Sequence, residues 1–356
     1  MAPNTRPGRK ARSRGNGAPT IADVARLAGV SPMTVSRVIN AEARVRQSTR
    51  EAVEAAIVSL NYAPNQAARS LAGVGPVRIG LLYSNPSESY LSAFLVGSLD
   101  EASHNDTQFI VEKCELGDHE LEVARHMIGN GVDGLILPSP LCDSQDLLDL
   151  IADEGVPAVL VGSGMPSMRH AAVSIDERAA AYEMTRHIVA LGHRRIGFII
   201  GNPAQTASAA RLAGFKSAMA DAGLEVAGEL IAQGYFTYRS GLTAADALLD
   251  AGEPPTAVFA SNDDMAAATV AIAHKRGLDV PGDLTVCGFD DTALATAIWP
   301  ELTTIRQPIG DMARAAIKLL AKRLRHPDSA ENNARDHLLL DFALIHRQSD
   351  AAPRRQ

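Results

Sequence analysis

Hydrophobic positions near the start of the chain follow the spacing of α-helices. In the segment IADVARLA, residues 21–28, apolar side chains recur at i, i+3, i+4 and i+7, so they share one helical face. Gly29 permits a tight turn. Ser31 and Pro32 restart a helix, because serine caps a helix well and proline suits the first helical position. The pattern predicts two short helices separated by a glycine turn.

A third helix is predicted over about 48–60, opened by a Ser48-x-x-Glu51 capping box. The next segment, NYAPNQAARSLAG at 61–73, begins another helix at Pro64 and ends it at the glycine, which leaves barely two turns. A helix of fewer than about 12 residues is marginal in water. This one is therefore expected to form only when it packs against something, and the alternative is a flexible linker.

Beyond Gly75, short apolar runs alternate with stretches of helical periodicity. The strand-like runs are 77–83, 108–114, 134–137, 158–161, 196–200, 257–260 and 285–289. The helical stretches are 91–103, 179–191, 207–222, 265–276 and 311–324, and a last strand is predicted near 338–345. This alternation predicts parallel sheets covered by helices, so the expected fold is an α/β body behind an all-α head.

Charge is segregated along the chain, although the net charge is only −7. Residues 1–75 contain 11 Lys and Arg against 4 Asp and Glu, whereas the remainder contains 23 against 37. A basic head on an acidic body is typical of a nucleic-acid binder with a second function. The alternative, that terminal charges aid solubility, explains Arg6 to Arg14 but not the rest of the head.

Other features argue against a membrane protein, a secreted protein and an enzyme. No apolar run reaches the ~18 residues of a membrane span, and no apolar stretch follows the basic N-terminus, so a cytoplasmic, nucleoid-associated location is expected. Cys114, Cys142 and Cys287 fit no metal or redox spacing and are expected to be buried thiols. Nucleotide-binding, hydrolase and metalloprotease motifs are also missing, so no catalytic residue, cofactor or metal is expected.

The outward face of the second predicted helix has the composition of a recognition helix. Val35 and Val38 can face the first helix, which leaves small or polar residues and one arginine outside. Arg37 can donate two hydrogen bonds to guanine, and Met33 can touch thymine methyl groups. The alternative is a purely structural helix pair. The contacts predicted for the head on double-stranded DNA are Thr20, Ser31, Pro32, Met33, Thr34, Ser36, Arg37 and Asn40.

The run from Thr20 to Gly73, with VSRVIN and LNYAPNQAARSLAG, resembles the headpiece and hinge helix of the LacI/GalR family of transcriptional regulators. The resemblance continues in HIVALGHRRIGFI, SAARLAGF, FASNDDMA, VCGFDDT and PELTTIRQP, and it implies a two-lobed core like a periplasmic binding protein. In that family two hinge helices pair in the minor groove. The resemblance therefore implies that Asn65, Ala68 and Leu71 face that groove, with Leu71 as an apolar wedge.

Five parts are expected along the chain. They are a disordered basic arm at 1–17, a helix-turn-helix domain at 18–62, a hinge helix and linker at 63–76, an effector-binding and dimerisation domain at 77–348, and a polar tail at 349–356. The two lobes of the large domain are expected at about 77–191 with 309–336, and at about 192–305 with 337–348. The tail has no leucine heptads of the kind that make tetramers, so a homodimer is expected.

Ligands of parallel α/β sheets bind beyond the carboxyl ends of the strands. Here those ends carry carboxylates and amides, which suit sugar hydroxyls. By resemblance, Arg211, Asn262 and Asp290 match the family's main contacts to ligand hydroxyls, and Phe236 falls near an aromatic residue that stacks on the sugar. Asp176 matches a lining carboxylate, but an aspartate there can equally cap the next helix. The predicted effector contacts are Ser84, Tyr90, Asp176, Arg211, Phe236, Asn262 and Asp290.

The predicted function is a repressor of carbohydrate-utilisation genes that leaves a palindromic operator when a small sugar closes the cleft. One alternative is a corepressor mechanism, in which the ligand strengthens DNA binding. A cleft for a nucleobase would be expected to offer more stacking aromatics than a chain that is 4% aromatic. A second alternative, a sugar-binding protein without a DNA function, is disfavoured by the basic head and by the lack of a signal peptide.

Overall fold

The computed structural model describes residues 19–39, 45–60, 76–104, 107–117, 119–165, 169–326 and 336–354. The chain divides into two compact units, Met1–Pro76 and Val77–Gln356. Four of the predicted DNA contacts lie outside the described residues: Asn40, Asn65, Ala68 and Leu71.

The described residues of the first unit contain three helices: α1 (Ile21–Ala28), α2 (Pro32–Ile39) and α3 (Gln47–Leu60). Thr20 and Asp23 form a capping box at the start of α1, and Gly29 ends that helix in the left-handed region at φ 68°. Val24, Val35 and Val53, one from each helix, meet in a buried core. The predicted helix-turn-helix is therefore confirmed.

One local prediction in this unit is wrong. Helix α3 begins at Gln47 rather than at Ser48, so Ser48 lies inside the first turn and cannot be the N-cap. Glu51 instead accepts a hydrogen bond of 3.0 Å from the Gln47 side-chain amide.

The second unit alternates strands and helices, as the pattern predicts. Its helices are α4 (Glu88–His104), α5 (Glu120–Gly129), α6 (Gln145–Asp153), α7 (Glu177–Ala190), α8 (Thr206–Asp221), α9 (Tyr238–Leu249), α10 (Asp263–Lys275), α11 (Leu294–Ala297) and α12 (Ile309–Arg325). Its strands are β1 (Val77–Tyr83), β2 (Thr107–Lys113), β3 (Gly134–Pro138), β4 (Ala158–Val161), β5 (Ala171–Ser174), β6 (Ile196–Ile200), β7 (Ile231–Gln233), β8 (Ala257–Ala260), β9 (Thr285–Asp290), β10 (Thr303–Arg306), β11 (His337–Leu339) and β12 (Ala343–Ile345).

The strands form two six-stranded sheets, one in each lobe. The first has the order β11-β5-β4-β3-β1-β2 and is parallel throughout. The second has the order β12-β10-β9-β8-β6-β7 and is parallel except for β12, which runs antiparallel to β10. Every residue of β3, β4 and β5 is buried, as expected for strands covered by helices on both faces. The predicted α/β body with parallel sheets is confirmed.

The boundaries between the lobes differ from the prediction at two places. Helix α7 packs against α8 and against β8, β10 and β12 of the second sheet, so the second lobe begins near residue 176 and not at 192. Strand β11 pairs with β5 of the first sheet, whereas β12 pairs with β10 of the second. The single strand expected near 338–345 is therefore two strands, and the chain changes lobe at 340–342.

Helix α12 returns to the first lobe as predicted, where it packs against α4. The two helices approach so closely that a Cβ on Gly97 would lie 2.5 Å from the carbonyl oxygen of Gly310. The three cysteines are buried thiols, as predicted. Within the described residues, no helix combines the length and the apolar character needed to cross a bilayer.

Candidate functional site

Helix α2 presents one buried face and one accessible face. Val35 and Val38 are buried, while Pro32 and Arg37 are exposed and Met33 is 65% exposed. Ser31 caps the helix, because its Oγ accepts from the Thr34 amide at 3.2 Å. Hydrogen-bond donors and apolar groups are therefore exposed together on the N-terminal half of α2. This is the end that a recognition helix presents to the major groove.

Two of the predicted DNA contacts of the head serve the fold as well. Thr20 Oγ1 donates to Asp23 at 2.7 Å in the capping box of α1, and this bond lowers the pKa of the Asp23 carboxyl. Ser31 Oγ lies 2.9 Å from the Thr34 hydroxyl. Ser36 is half-buried beside them on α2. The capping bonds hold the start of each helix in place, which fixes the direction of the exposed side chains.

A narrow cavity of about 30 Å³ lies between the lobes, at the carboxyl ends of the strands of both sheets. Each lining residue on a loop follows a strand or opens a helix, which is where parallel α/β folds bind ligands. The lining residues are Asn85, Ser87, Tyr90, Ser139, Gly162, Glu177, Gln205, Ala207, Arg211, Phe236, Asn262, Asp290 and Gln307.

Five of the seven predicted effector residues line this cavity: Tyr90, Arg211, Phe236, Asn262 and Asp290. The structure does not bring the other two to it. Asp176 is exposed and caps α7, where it accepts from the Ala179 amide at 2.8 Å. Ser84 accepts from the Leu116 amide at 3.2 Å. The lining carboxylate is Glu177, one residue after Asp176, and sequence reasoning missed it.

Arg211, on α8, is the centre of the cavity's electrostatics. Its Nε donates to Glu177 at 2.7 Å, and its Nη1 donates to the Ser261 carbonyl and lies 3.8 Å from the Asp290 carboxylate. Burial alone lowers the pKa of Arg211, but Glu177 and Asp290 outweigh it and raise the pKa. The guanidinium therefore stays charged although it is buried.

Two aromatic rings lie close to this guanidinium. Its central carbon lies 3.6 Å from the centroid of the Phe289 ring and 5.6 Å from that of Phe236, both within the range of cation–π attraction. The Phe236 ring also covers Gly201, where a Cβ would lie 1.9 Å from the ring Cζ. Only glycine leaves room for the ring at this place.

Asp290, at the end of β9, is a buried carboxyl on a strained backbone. Burial raises its pKa well above the usual range, although the Arg211 charge opposes the shift. The Gln307 amide donates to its Oδ1 at 2.6 Å. Asp290 has φ 108° and Phe236 has φ 61°, a region that residues other than glycine seldom adopt. Backbone strain of this kind persists only where the surroundings hold it, and it is common at ligand sites.

Asn262 joins two parts of the cavity wall. Its Oδ1 caps α10 by accepting from the Met265 amide at 3.0 Å, and its Nδ2 donates to the Phe236 carbonyl at 3.0 Å. The next residue, Asp263, is buried and accepts from the Thr292 amide at 2.8 Å and from the Thr304 hydroxyl at 2.7 Å. These bonds anchor α10 to the strand ends around the cavity.

Hydrogen bonds between described residues connect the lobes beside the cavity. The Ser87 hydroxyl donates to Asp264 at 2.7 Å, and the Ser139 hydroxyl donates to Gln205 at 2.9 Å. Asp143 accepts from both the amide and the hydroxyl of Thr206, the first residue of α8, at 2.9 Å each. These bonds exist only while the lobes are together, so they stabilise this arrangement.

Residues 20–65 match the model of the bacterial regulatory proteins of the lacI family, and residues 185–349 match that of the periplasmic binding protein-like domain. Catabolite control protein A of Priestia megaterium is 36% identical over 305 residues, which is 85% of this chain and 92% of that protein. The HTH-type transcriptional regulator CelR of Thermobifida fusca is 34% identical over 338 residues, 93% of this chain and 98% of that protein.

Solved structures of regulators from the same group of relatives match this chain as well. A CelR–cellobiose complex matches with a TM-score of 0.71 at 33% identity and covers 93% of this chain and 99% of that one. The lac repressor dimer bound to operator and the anti-inducer ONPF matches with a TM-score of 0.77 at 29% identity, over 94% and 100% of the two chains. The chain therefore belongs to the lacI family of bacterial regulatory proteins and is, as its sequence predicts, a DNA-binding transcriptional regulator rather than an enzyme.

Proposed function

We propose that this regulator is a homodimeric repressor that binds a palindromic operator in the cytoplasm, at the nucleoid, and releases it when a neutral sugar binds in the interlobe cavity. The observation that carries the choice of ligand is the charge of the cavity. Among its lining residues, all of which the structure describes, the charged groups are Glu177, Arg211 and Asp290.

The cavity has no excess positive charge for an anionic ligand, because its one guanidinium, that of Arg211, has a carboxylate partner. Arg211 is already paired with Glu177 at 2.7 Å. A phosphate or carboxylate on the ligand would have to enter a buried site beside the Glu177 carboxylate, where no unpaired cation of the lining offsets its charge, and burying an unpaired charge is costly. A sugar phosphate is therefore disfavoured, and a neutral polyol is favoured.

The uncharged lining matches what a polyol requires. Asn85, Ser87, Ser139, Gln205 and Gln307 offer both donors and acceptors, and each sugar hydroxyl uses both. The rings of Tyr90 and Phe236 give the apolar side of a sugar a surface to pack on. The solved CelR complex, in which cellobiose is bound to a relative that matches 93% of this chain, supports this class of ligand.

On the DNA side, the proposal assigns base contacts to the exposed residues of α2. Arg37 would donate to guanine in the major groove and Met33 would touch thymine methyl groups, while Ser31 and Thr34 would bond to phosphates. The lac repressor structure, a dimer on its operator, supports two-fold binding. Leu71, outside the described residues, would insert into the minor groove from the hinge.

The proposal can be tested with the full-length chain. The operator is first selected from random duplex DNA, and its affinity is then measured by fluorescence anisotropy with and without a panel of neutral mono- and disaccharides. At least one sugar should weaken operator binding by about 5- to 150-fold. A sugar that tightens binding would replace induction by corepression, and a phosphorylated sugar as the sole effector would contradict the argument from charge.

Two variants separate the two activities. Asp290→Asn should abolish the response to sugar and leave operator affinity within about twofold, whereas Arg37→Ala should do the reverse and cost about 1–3 kcal/mol of operator binding. Asp250→Asn is the control, because Asp250 is an exposed partner of Arg276 and does not line the cavity. If Asp290→Asn responds to sugar as the wild type does, the cavity is not the effector site.

A further inference from the structure

Two histidines and one aspartate come together in the second lobe, away from the interlobe cavity. His187 lies in the last turn of α7, and His346 and Asp350 lie in the segment that follows β12. One ligand atom from each of the three residues lies within 4.8 Å of the other two. Glu177, which lines the cavity, is ten residues before His187 on the same helix, about 15 Å along its axis.

The geometry of the three side chains is that of a site open on one side. His187 Nε2 lies 2.6 Å from Asp350 Oδ2, and the His187 and His346 rings meet edge to face with centroids 4.5 Å apart. The His187 and Asp350 side chains are mostly buried, whereas His346 is exposed. Solvent can therefore reach the cluster from the side of His346.

Hydrogen bonds outside the cluster hold the aspartate in position. The Thr303 hydroxyl of β10 donates to Asp350 Oδ1, which leaves Oδ2 directed at His187. Partners of this kind fix ligand orientation at metal sites. The backbone on both sides is also held, because the Arg347 amide donates to Thr303 at 2.8 Å and the Ala351 amide donates to Thr285 at 3.0 Å.

An ion pair between His187 and Asp350 explains part of this arrangement, because it would clamp the C-terminal segment to α7. It gives the second imidazole no role. Two imidazole nitrogens and one carboxylate oxygen are, however, a complete set of protein ligands for Zn²⁺ with one position left for water. We propose that His187, His346 and Asp350 form a Zn²⁺ site that fastens the C-terminal segment to the end of α7.

The spacing of the ligands explains why the sequence predicts no metal. His187 and Asp350 are 163 residues apart in the chain, so no short motif contains them. The fold brings them together because β12 adds to the edge of the second sheet beside β10, and α7 packs against both strands.

The test uses the full-length chain, freed of metal by a chelator and dialysed, with zinc chloride as the probe. Isothermal titration should show Zn²⁺ binding to a site that disappears in His346→Gln, and the melting temperature of the wild type should rise with Zn²⁺. His346 is exposed, so this variant should fold normally, as operator binding will show. Asp350→Asn should weaken Zn²⁺ binding at least about tenfold.

His104→Gln is the matched control. His104 also lies near an aspartate, with its Nδ1 3.9 Å from the carboxylate Oδ1 of Asp100, but both side chains are exposed. Its replacement should leave Zn²⁺ affinity unchanged. Co²⁺ in place of Zn²⁺ adds a visible absorption band that reports on the ligands and should change in His346→Gln. The proposal is overturned if wild type and His346→Gln bind Zn²⁺ equally, or if neither binds it.

Discussion

The Asp143 carboxylate of the first lobe caps a helix of the second, by accepting the backbone amide of Thr206 at 2.9 Å. Helix α8 starts at Thr206 and carries Arg211. The side chain at the N-cap position of α8, Gln205, is bonded to Ser139 across the cavity. The helix therefore receives its capping carboxylate from the opposite lobe. A negative charge at a helix N-terminus is favourable. The bond between Asp143 and Thr206 therefore stabilises the closed arrangement of the lobes.

Asp143→Asn should loosen the closed arrangement. The change removes the charge at the start of α8 but keeps the size of the side chain, and a hydrogen bond to a charged group contributes about 1.5–3 kcal/mol. If sugar binds the closed lobes, its apparent affinity should fall about tenfold. Titration of sugar against the operator complex measures this change.

Asp146→Asn provides the comparison for that prediction. Asp146 is an exposed acidic residue in the first turn of α6, three positions further along the chain. Asp146→Asn should therefore leave the apparent affinity for sugar unchanged. Equal effects of the two substitutions would show that general surface charge, and not the cap on α8, is responsible.

Arg211→Ala should be strongly destabilising. It leaves Glu177 buried without its counter-charge, and breaking a buried ion pair on one side costs about 3–5 kcal/mol. The free energy of unfolding in urea measures this cost. Arg276→Ala breaks two surface pairs, with Asp246 and Asp250, and should cost less than about 1 kcal/mol. A similar small loss for both variants would mean that Arg211 is not held as an ion pair.

Stability should depend on pH through Asp263. Burial raises the pKa of this carboxyl from 3.8 to about 7, against the opposing bonds from Thr304 and Thr292. Because the folded pKa lies above the unfolded one, the stabilising contribution is complete below about pH 4 and is lost as the pH rises through about 7. Within that window the slope approaches 1.4 kcal/mol per pH unit.

Asp263→Asn removes this titration and keeps the shape of the side chain. The difference in free energy of unfolding between wild type and variant, measured in urea from pH 4.5 to 8, reports the titration of Asp263 together with its effect on the pKa of Asp290, which the Asp263 charge raises. Relative to the variant, the wild type should be more stable at the acidic end. A difference that stays constant across this range would show that Asp263 keeps an ordinary pKa.

Gly201→Ala should weaken sugar binding by displacing the Phe236 ring. The new Cβ would lie 1.9 Å from the ring Cζ, so the ring must move, and an aromatic contact is worth about 0.5–1.5 kcal/mol. Sugar affinity should fall about two- to tenfold, and overpacking should cost about 1–3 kcal/mol of stability. Gly228→Ala is the control, since a Cβ there would meet open space among the described residues. Unchanged sugar binding in Gly201→Ala would remove Phe236 from the effector site.

Local patterns predicted α2 and many of the strands, because α2 has clear apolar periodicity and strands such as β3 are continuous apolar runs, as their burial reflects. Local patterns failed where either of two neighbouring residues of the same type could line the cavity. Asp176 and Glu177 are adjacent carboxylates, and only the geometry of the helix cap decides that the first caps α7 and the second lines the cavity. The bond between Asp143 and Thr206 depends on lobe closure across 63 residues, which periodicity does not report.

The chain passes between the lobes three times, after β5, after β10 and after β11. Neither lobe is therefore a continuous stretch of the gene. A truncation before residue 336 would remove an edge strand from each sheet at once, so deletion mapping cannot assign a property to one lobe. Recombination between relatives with a single junction in this region would likewise produce sheets whose strands come from two different proteins. The exchange of an intact lobe would need three junctions.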